Sequence, residues 1–209
     1  MEFESLFNLQ QNVLPAFTET GFKVVRAPED ICRRYGDMLA THRSEAVTTS
    51  PDGFLGGPKM PLLLEDRAFN REVGERLKPM HEAWCGVPLV HSVTYGVRLY
   101  LDGSTLARHC DTLATHVISS ILHLDRDMDE PWPITMEDVN GVPHEVNLEP
   151  GDLLLYESAK CPHYRLTPFR GRFYASVFIH YRPAHGWNYS REILDIVAEN
   201  DPSLRERRA

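Results

Sequence analysis

At 209 residues the chain has room for one domain with embellishments. Its 42% hydrophobic, 10% aromatic and 25% charged composition is that of a globular protein, which excludes wholesale disorder and collagen-like or coiled-coil classes. Lys and Arg total 22 against 30 Asp and Glu, and the resulting charge of -8 repels phosphate backbones and anionic lipid, so neither nucleic acid nor a membrane is an expected partner. The acidic start MEFESLFNLQQN lacks the pattern of a signal peptide, and no apolar run approaches the roughly 18 residues of a membrane span. Cys32, Cys85, Cys110 and Cys161 are scattered with no CxxC, so the expected setting is reducing and cytoplasmic.

Residues 1–87 read as a mixed α/β support region. A short strand is predicted at GFKVV (21–25), then a helix opening at Pro28-Glu29-Asp30, with Ile31, Tyr35, Met38 and Leu39 at helical spacing. A second helix is predicted from about Asp66 to Trp84. Between them, residues 44–60 hold closely spaced glycines and prolines and no apolar period, which makes a loop long enough to serve as a lid over a site elsewhere. From Val87 to Pro183 short β-branched and aromatic runs are punctuated by Gly, Pro and Asn, the texture of a sandwich or barrel. Strands are predicted at 92–101, 116–124, 134–139, 144–148, 152–158 and 172–182, with hairpin chemistry at Asn140-Gly141. The acidic stretch DRDMDE (125–130) reads as a solvated loop, because it lacks the spacing of a calcium loop. Ser190 can cap a last helix carrying Ile193, Leu194 and Val197, and SLRERRA reads as a frayed tail. The fold class expected is α+β with a mainly β core, in a single domain: support region 1–87, β core 88–184, C-terminal helix and tail 185–209.

Two imidazoles and one carboxylate on one face of an octahedron suit Fe(II) and leave positions open for substrates and dioxygen. In sequence this needs His-x-Asp and a distant His. Two such tripeptides occur, His109-Cys110-Asp111 and His123-Leu124-Asp125. The first is favoured because His109 follows a strand and a loop that can bring it to the mouth of a barrel, whereas His123 ends an unbroken strand. The distal candidate is His163, in a short loop after the strand that Pro150-Gly151-Asp152 opens, and Arg172 follows it. His42, His81, His91, His116, His144, His180 and His185 lack a paired ligand pattern and are read as surface or core residues. Cys110, flanked by two proposed ligands in an extended segment, is expected to point away from them as a buried filler.

The order HxD, a His some fifty positions on and a basic residue shortly after resembles the iron(II) and 2-oxoglutarate dependent dioxygenases, most closely their prolyl 4-hydroxylase-like branch. The likeness covers about Tyr95 to Pro183, including the PGD turn and RLYLDGSTLARHCD. It implies a double-stranded β-helix (jelly roll) with iron held by His109, Asp111 and His163 as the catalytic centre. It further implies 2-oxoglutarate chelating the metal, its distal carboxylate anchored by Arg172, with Tyr100 and His123 as further co-substrate contacts. Related hydroxylases often present tyrosine at the His123 position. Strand alternation from Gly171 turns Arg172 toward the barrel beside Tyr174 and Ser176, whereas its rival Arg170 sits in the turn. The implied chemistry is hydroxylation of an unactivated C–H bond coupled to conversion of 2-oxoglutarate and O2, with ascorbate as a possible further requirement. The retained carboxylate at Asp111 favours hydroxylation over the halogenation of relatives that replace this ligand. The branch points to a prolyl residue in a peptide or protein, or to free proline. The alternatives are a small molecule other than proline, a cupin-like binding module without turnover, or an interaction domain with incidental histidines.

Overall fold

The computed structural model describes residues 2–51 and 53–206. The elements run α1 (Glu2–Val13), β1 (Phe22–Arg26), α2 (Glu29–His42), β2 (Val47–Thr48), β3 (Leu55–Gly56), β4 (Leu62–Leu64), α3 (Arg67–Cys85), β5 (Leu89–Thr94), β6 (Val97–Tyr100) and β7 (Thr105–His109). They continue with β8 (Ile118–Met128), β9 (Ile134–Glu137), β10 (Pro143–Val146), β11 (Asp152–Tyr156), β12 (His163–Arg165), β13 (Gly171–Pro183) and α4 (Arg191–Asn200). Among the described residues no helix is long and apolar enough to cross a membrane.

The strands form two antiparallel sheets, one in the order β1-β11-β8-β13-β6-β4-β2 with β5 also on β13, the other in the order β10-β9-β12-β7-β3. Two facing antiparallel sheets are what the expected jelly roll requires. Alternation along β13 divides the molecule into layers. Ala175, Val177, Ile179 and Tyr181 point outward and join Leu122, Leu153 and Leu155 in the largest apolar cluster. Helices α2 and α3 cover that face with Ile31, Tyr35, Val73 and Leu77. Helix α3 forms where predicted because Asp66 caps the amide of Phe69 and Gly86, at φ 75°, ends it in the left-handed conformation. Between the sheets, Ile121, Leu154 and Tyr156 of the larger one pack on Ile134 and Met136 of the smaller.

Several expectations need correction. The strand predicted over 92–101 is two strands, β5 and β6. They part at Gly96, where a Cβ would lie 2.1 Å from the carbonyl oxygen of Leu64, so the chain bends at a backbone contact only glycine permits. Asp125 to Met128 are not a loop; they extend β8, paired with the start of β13. Thr105 to Ala107 of the expected loop DGSTLA already belong to β7, and His163 opens β12 rather than lying in a loop. Residues 44–60 hold the short strands β2 and β3. The N-terminal stretch is a helix, α1. Its Asn8 and Asn12 donate to the carbonyls of Arg205 and Leu204, so the start of the supposed frayed tail is docked. Residues 207–209 of that tail lie outside the described residues. Ser190 caps α4 as expected, although the buried residues are Leu194 and Ala198 and Ile193 is exposed.

Candidate active site

The site is built by a cross-strand pair. His109, the last residue of β7, is the register partner of His163, the first of β12, and their ring centroids lie 4.3 Å apart. Antiparallel pairing thus joins two histidines more than fifty residues apart in sequence. Asp111 follows as the chain leaves β7, held by its amide donating to the carbonyl of Ser158 at 2.8 Å. The Nε2 atoms of His109 and His163 each lie 3.8 Å from Asp111 Oδ1. One ligand atom from each residue lies within 4.8 Å of the others, so the three could hold a metal ion.

The tautomers suit that role. Nδ1 of His109 is 2.8 Å from the carbonyl oxygen of Ala107, and Nδ1 of His163 is 3.1 Å from that of Cys161. A carbonyl only accepts, so each Nδ1 carries the proton and donates, and each Nε2 lone pair faces Asp111. Burial pushes His163 down to about 4, so its imidazole is neutral at physiological pH, as a metal ligand requires. Burial likewise raises the Asp111 carboxyl, against the pull of His109, His116, Ser158 and Arg98. A divalent cation would reverse that cost.

The competing tripeptide does not converge. His123 is buried inside β8, its Nδ1 donating to the carbonyl of Ala175 at 3.0 Å and its ring stacked on Tyr174. Asp125 is exposed and accepts from the amide of Arg126. Cys110 is buried away from solvent, with Sγ near the carbonyls of Phe7 and Lys160.

A pocket of about 200 Å³ adjoins the triad between the sheets, with Tyr100, Ile121, Tyr156 and Phe178 in its wall. Tyr100, expected as a co-substrate contact, lines this pocket. Arg172 does not. Its side chain is 82% exposed and pairs with Asp127. The reason is a register shift between Gly171 and Phe173 against β8, with Gly171 at φ 146°, which breaks the alternation that would have turned Arg172 inward. Arg170 is exposed too.

Two other arginines, besides the Arg108 that pairs with Glu137, reach the interior. Arg98 of β6 lines the pocket, with its guanidinium carbon 4.8 Å from the Phe178 ring centroid. Arg165, two residues after His163 on β12, is 5% exposed and lies over the rings of Trp132 and Tyr174 at 4.0 and 4.4 Å. Its Nε and Nη1 have no hydrogen-bond partner among the described residues; the same holds for Nε2 of His123 and Oγ of Ser176. These residues gather at one place, because Ser176 is the register partner of His123, Tyr174 is that of Tyr100, and the Tyr174 ring touches both His123 and Arg165.

The sequence reading also passed over a polar wall beside Asp111. His180 Nδ1 is 3.6 Å from Asp111 Oδ2 and 2.7 Å from Ser119 Oγ, and its ring lies 4.0 Å from that of His116. His116 Nε2 is 3.2 Å from the Tyr95 hydroxyl. The alternation that faces Tyr174 and Ser176 inward also carries His180 inward, so this residue was findable. From the loop at 44–60, Phe54 stacks on the His109 ring at 4.6 Å and 14°.

Neither a family model nor a curated protein sequence matches this chain. Solved structures do. A Pseudomonas putida prolyl-4-hydroxylase superposes with a TM-score of 0.60 at 17% identity, covering 79% of this chain and 94% of that one. HygX from Streptomyces hygroscopicus, with nickel and 2-oxoglutarate bound, gives 0.55 at 14% identity over 82% and 86% of the two chains. A Trichoplax adhaerens prolyl hydroxylase in complex with a hypoxia inducible factor peptide fragment gives 0.56 at 14% identity over 86% and 90%. The chain therefore has the fold of the 2-oxoglutarate and Fe(II) oxygenases, prolyl hydroxylases among them.

Proposed function

We propose that this protein is an Fe(II) and 2-oxoglutarate dependent dioxygenase that hydroxylates an unactivated C–H bond on a double-stranded β-helix core. The observation that carries the reading is the convergence of His109, Asp111 and His163 with both Nδ1 protons spent on carbonyls and both Nε2 atoms facing the carboxylate. Two neutral imidazoles and one carboxylate are a donor set suited to Fe(II) with positions left open.

The deeper residues fit the co-substrate. A dicarboxylate whose distal end is buried needs a cation and hydrogen-bond donors there. Arg165 and Ser176 offer unsatisfied donors at one place, with Tyr100 beside them, whereas His123 spends its Nδ1 proton on the Ala175 carbonyl and presents only a lone pair at Nε2. We assign the distal carboxylate to Arg165 in place of Arg172, with Ser176 and Tyr100 as its hydrogen-bonding partners and without His123, whose Nε2 cannot donate. The charges also balance, since a divalent metal, one carboxylate ligand and one guanidinium together offset a dianion.

Bound iron, 2-oxoglutarate and O2 supply the oxidation, with succinate and CO2 as co-products and ascorbate as a possible reductant for idle iron. The chain's own part is placement. His109, Asp111 and His163 fix the metal, while Arg165 orients the co-substrate from the far end. Tyr95, His116 and His180 present hydrogen-bonding groups next to Asp111, and Phe54 shields the His109 face from water. A prolyl residue or free proline as substrate is supported by the likeness to prolyl hydroxylases and by the peptide bound to the Trichoplax protein. A small molecule is supported by the HygX structure that contains hygromycin B. The test is succinate release with Fe(II), 2-oxoglutarate and ascorbate over a panel of peptides, amino acids and small molecules. Stimulation by at least one compound, lost on substitution of Asp111, is expected; metal binding without 2-oxoglutarate consumption would leave only a cupin-like binding module.

A further inference from the structure

Beside the metal site lies a second concavity that the chemistry above does not use. It is a groove of about 390 Å³ between α1, the Phe54 loop and the segment leading into α4. Phe3, Leu6 and Phe7 form one side, and Leu113, Ala114 and Tyr189 the other. It shares Phe54, Cys110, Asp111 and Thr112 with the pocket that holds the triad, so whatever occupies it lies next to the metal position. An aromatic ladder runs along it. Phe3 stacks on Phe7 at 6.3 Å, Phe7 meets Phe54 edge to face at 5.8 Å, and Phe54 stacks on the metal-facing His109. Phe3, at the outer end, is 67% exposed.

Beyond the hydroxyls of Thr112 and Tyr189 the groove has little polar capacity to spare. Its two charged lining residues are Asp111, a proposed metal ligand, and Arg191, which pairs with Asp195 at 3.0 Å. Gln10 is spent as a donor to the carbonyls of Asp111 and Ala159. A charged or strongly hydrated ligand would lose its water there without recovering the hydrogen bonds, whereas an apolar one gains by leaving water. The volume falls in the range of small-molecule pockets, roughly 300 to 1,000 Å³.

We propose that this groove is the substrate cleft, and that it takes an uncharged small molecule with an aromatic or aliphatic ring body, presenting one of its C–H bonds to the metal. The inference rests on the oxygenase reading, deepens it to a substrate class and sets prolyl compounds aside. A hydrogen-bonding group of such a substrate that reaches into the adjoining pocket would meet Tyr95 and His116 there.

The test measures binding and proximity rather than turnover. Manganese(II)-loaded protein is titrated calorimetrically with 2-naphthol and indole, and in parallel with N-acetylprolinamide and L-proline. The aromatic probes should bind at least tenfold more tightly. Manganese should broaden their proton resonances beyond what a zinc-loaded control shows, because a probe in this groove lies beside the metal. Ala114→Trp fills the groove from an exposed position and should weaken the aromatic probes at least tenfold with an unchanged melting temperature. Phe3→Ser, at the exposed rim, should weaken them several-fold. Equal or tighter prolyl binding, absence of manganese broadening, or indifference to Ala114→Trp would overturn this inference alone. Failure of manganese to bind at all would overturn the oxygenase reading and this inference with it.

Discussion

Arg165→Met removes the cation assigned to the co-substrate while keeping an unbranched apolar stem between Trp132 and Tyr174. Arg165 is only 5% exposed, so its charge is poorly screened. At an effective dielectric near 20, two unit charges about 4 Å apart interact by about 4 kcal/mol. Truncating one member of a buried charge pair costs about 2 to 5 kcal/mol, which is about 30- to 4,000-fold in affinity. The expected loss falls on 2-oxoglutarate, titrated calorimetrically against manganese-loaded protein, while manganese affinity is retained because the three ligands are untouched. Arg172→Met is the control: its side chain is exposed and paired with Asp127, and such surface pairs contribute about 0 to 1 kcal/mol. A second consequence separates ligand binding from folding. In the ligand-free protein the guanidinium is buried with two nitrogens unsatisfied, so the Met variant should melt no lower than wild type without 2-oxoglutarate and lower than wild type with it. A larger loss of 2-oxoglutarate affinity in Arg172→Met would refute the assignment, and a larger loss in Arg98→Met would move the anchor to the other inward arginine.

Asp111→Ala should abolish tight manganese binding and 2-oxoglutarate consumption, while Asp125→Ala, which alters only an exposed carboxylate, should leave both within twofold of wild type; equal losses would mean the wrong tripeptide. Glu137→Gln breaks a buried ion pair in which Glu137 accepts from Arg108 at 2.7 and 2.8 Å. It should cost about 3 kcal/mol, the low end for such pairs, because Arg108 keeps Glu4 at 3.0 Å; urea denaturation with an unchanged slope checks this. His81, fully buried in α3, is pushed by burial down to about 4, below the 6.5 of an exposed imidazole. The unfolded chain then binds the extra proton between these values, so stability is complete above about pH 6.5 and falls as pH drops toward 4, by up to about 1.4 kcal/mol per pH unit from this residue. His81→Phe keeps the ring on Tyr181 and should make the pH dependence of urea stability shallower in that window; an unchanged slope would show that His81 titrates normally.

Much of the fold was readable because its signals are local. The helix start at Pro28-Glu29-Asp30, the helix from about Asp66 and the short apolar run from Asp152 to Tyr156 each depend on signals within a few residues, and each appears where the local chemistry puts it. The errors arise where a distant partner decides. Asp125 to Met128 look like a solvated acidic loop in isolation, yet they extend β8 because the start of β13 supplies the backbone partners and Arg126 and Arg172 neutralise Glu149 and Asp127. α1 carries an apolar face that makes sense only against the sheet and the docked tail, neither of which a twelve-residue window contains.

The site shows the same division more sharply. The convergence of His109, Asp111 and His163 was legible because a candidate ligand triad is a matter of residue type and order, and cross-strand pairing tolerates any loop between His109 and His163. The cation was misplaced because its position depends on strand register. A single irregularity between Gly171 and Phe173 is enough to turn Arg172 outward, since side chains alternate with a period of two. Yet the chain still needs a positive charge at the closed end if it is to bury a dicarboxylate. Arg165 can supply it because it stands two residues beyond a ligand that must itself face inward, and a cation at that spacing shares the ligand's face. His180 follows from the same reasoning applied to β13 counted from Tyr174 rather than from Gly171. The useful reference point for inward-facing residues in this core is therefore a metal ligand or a buried aromatic, and not the turn at which a strand begins.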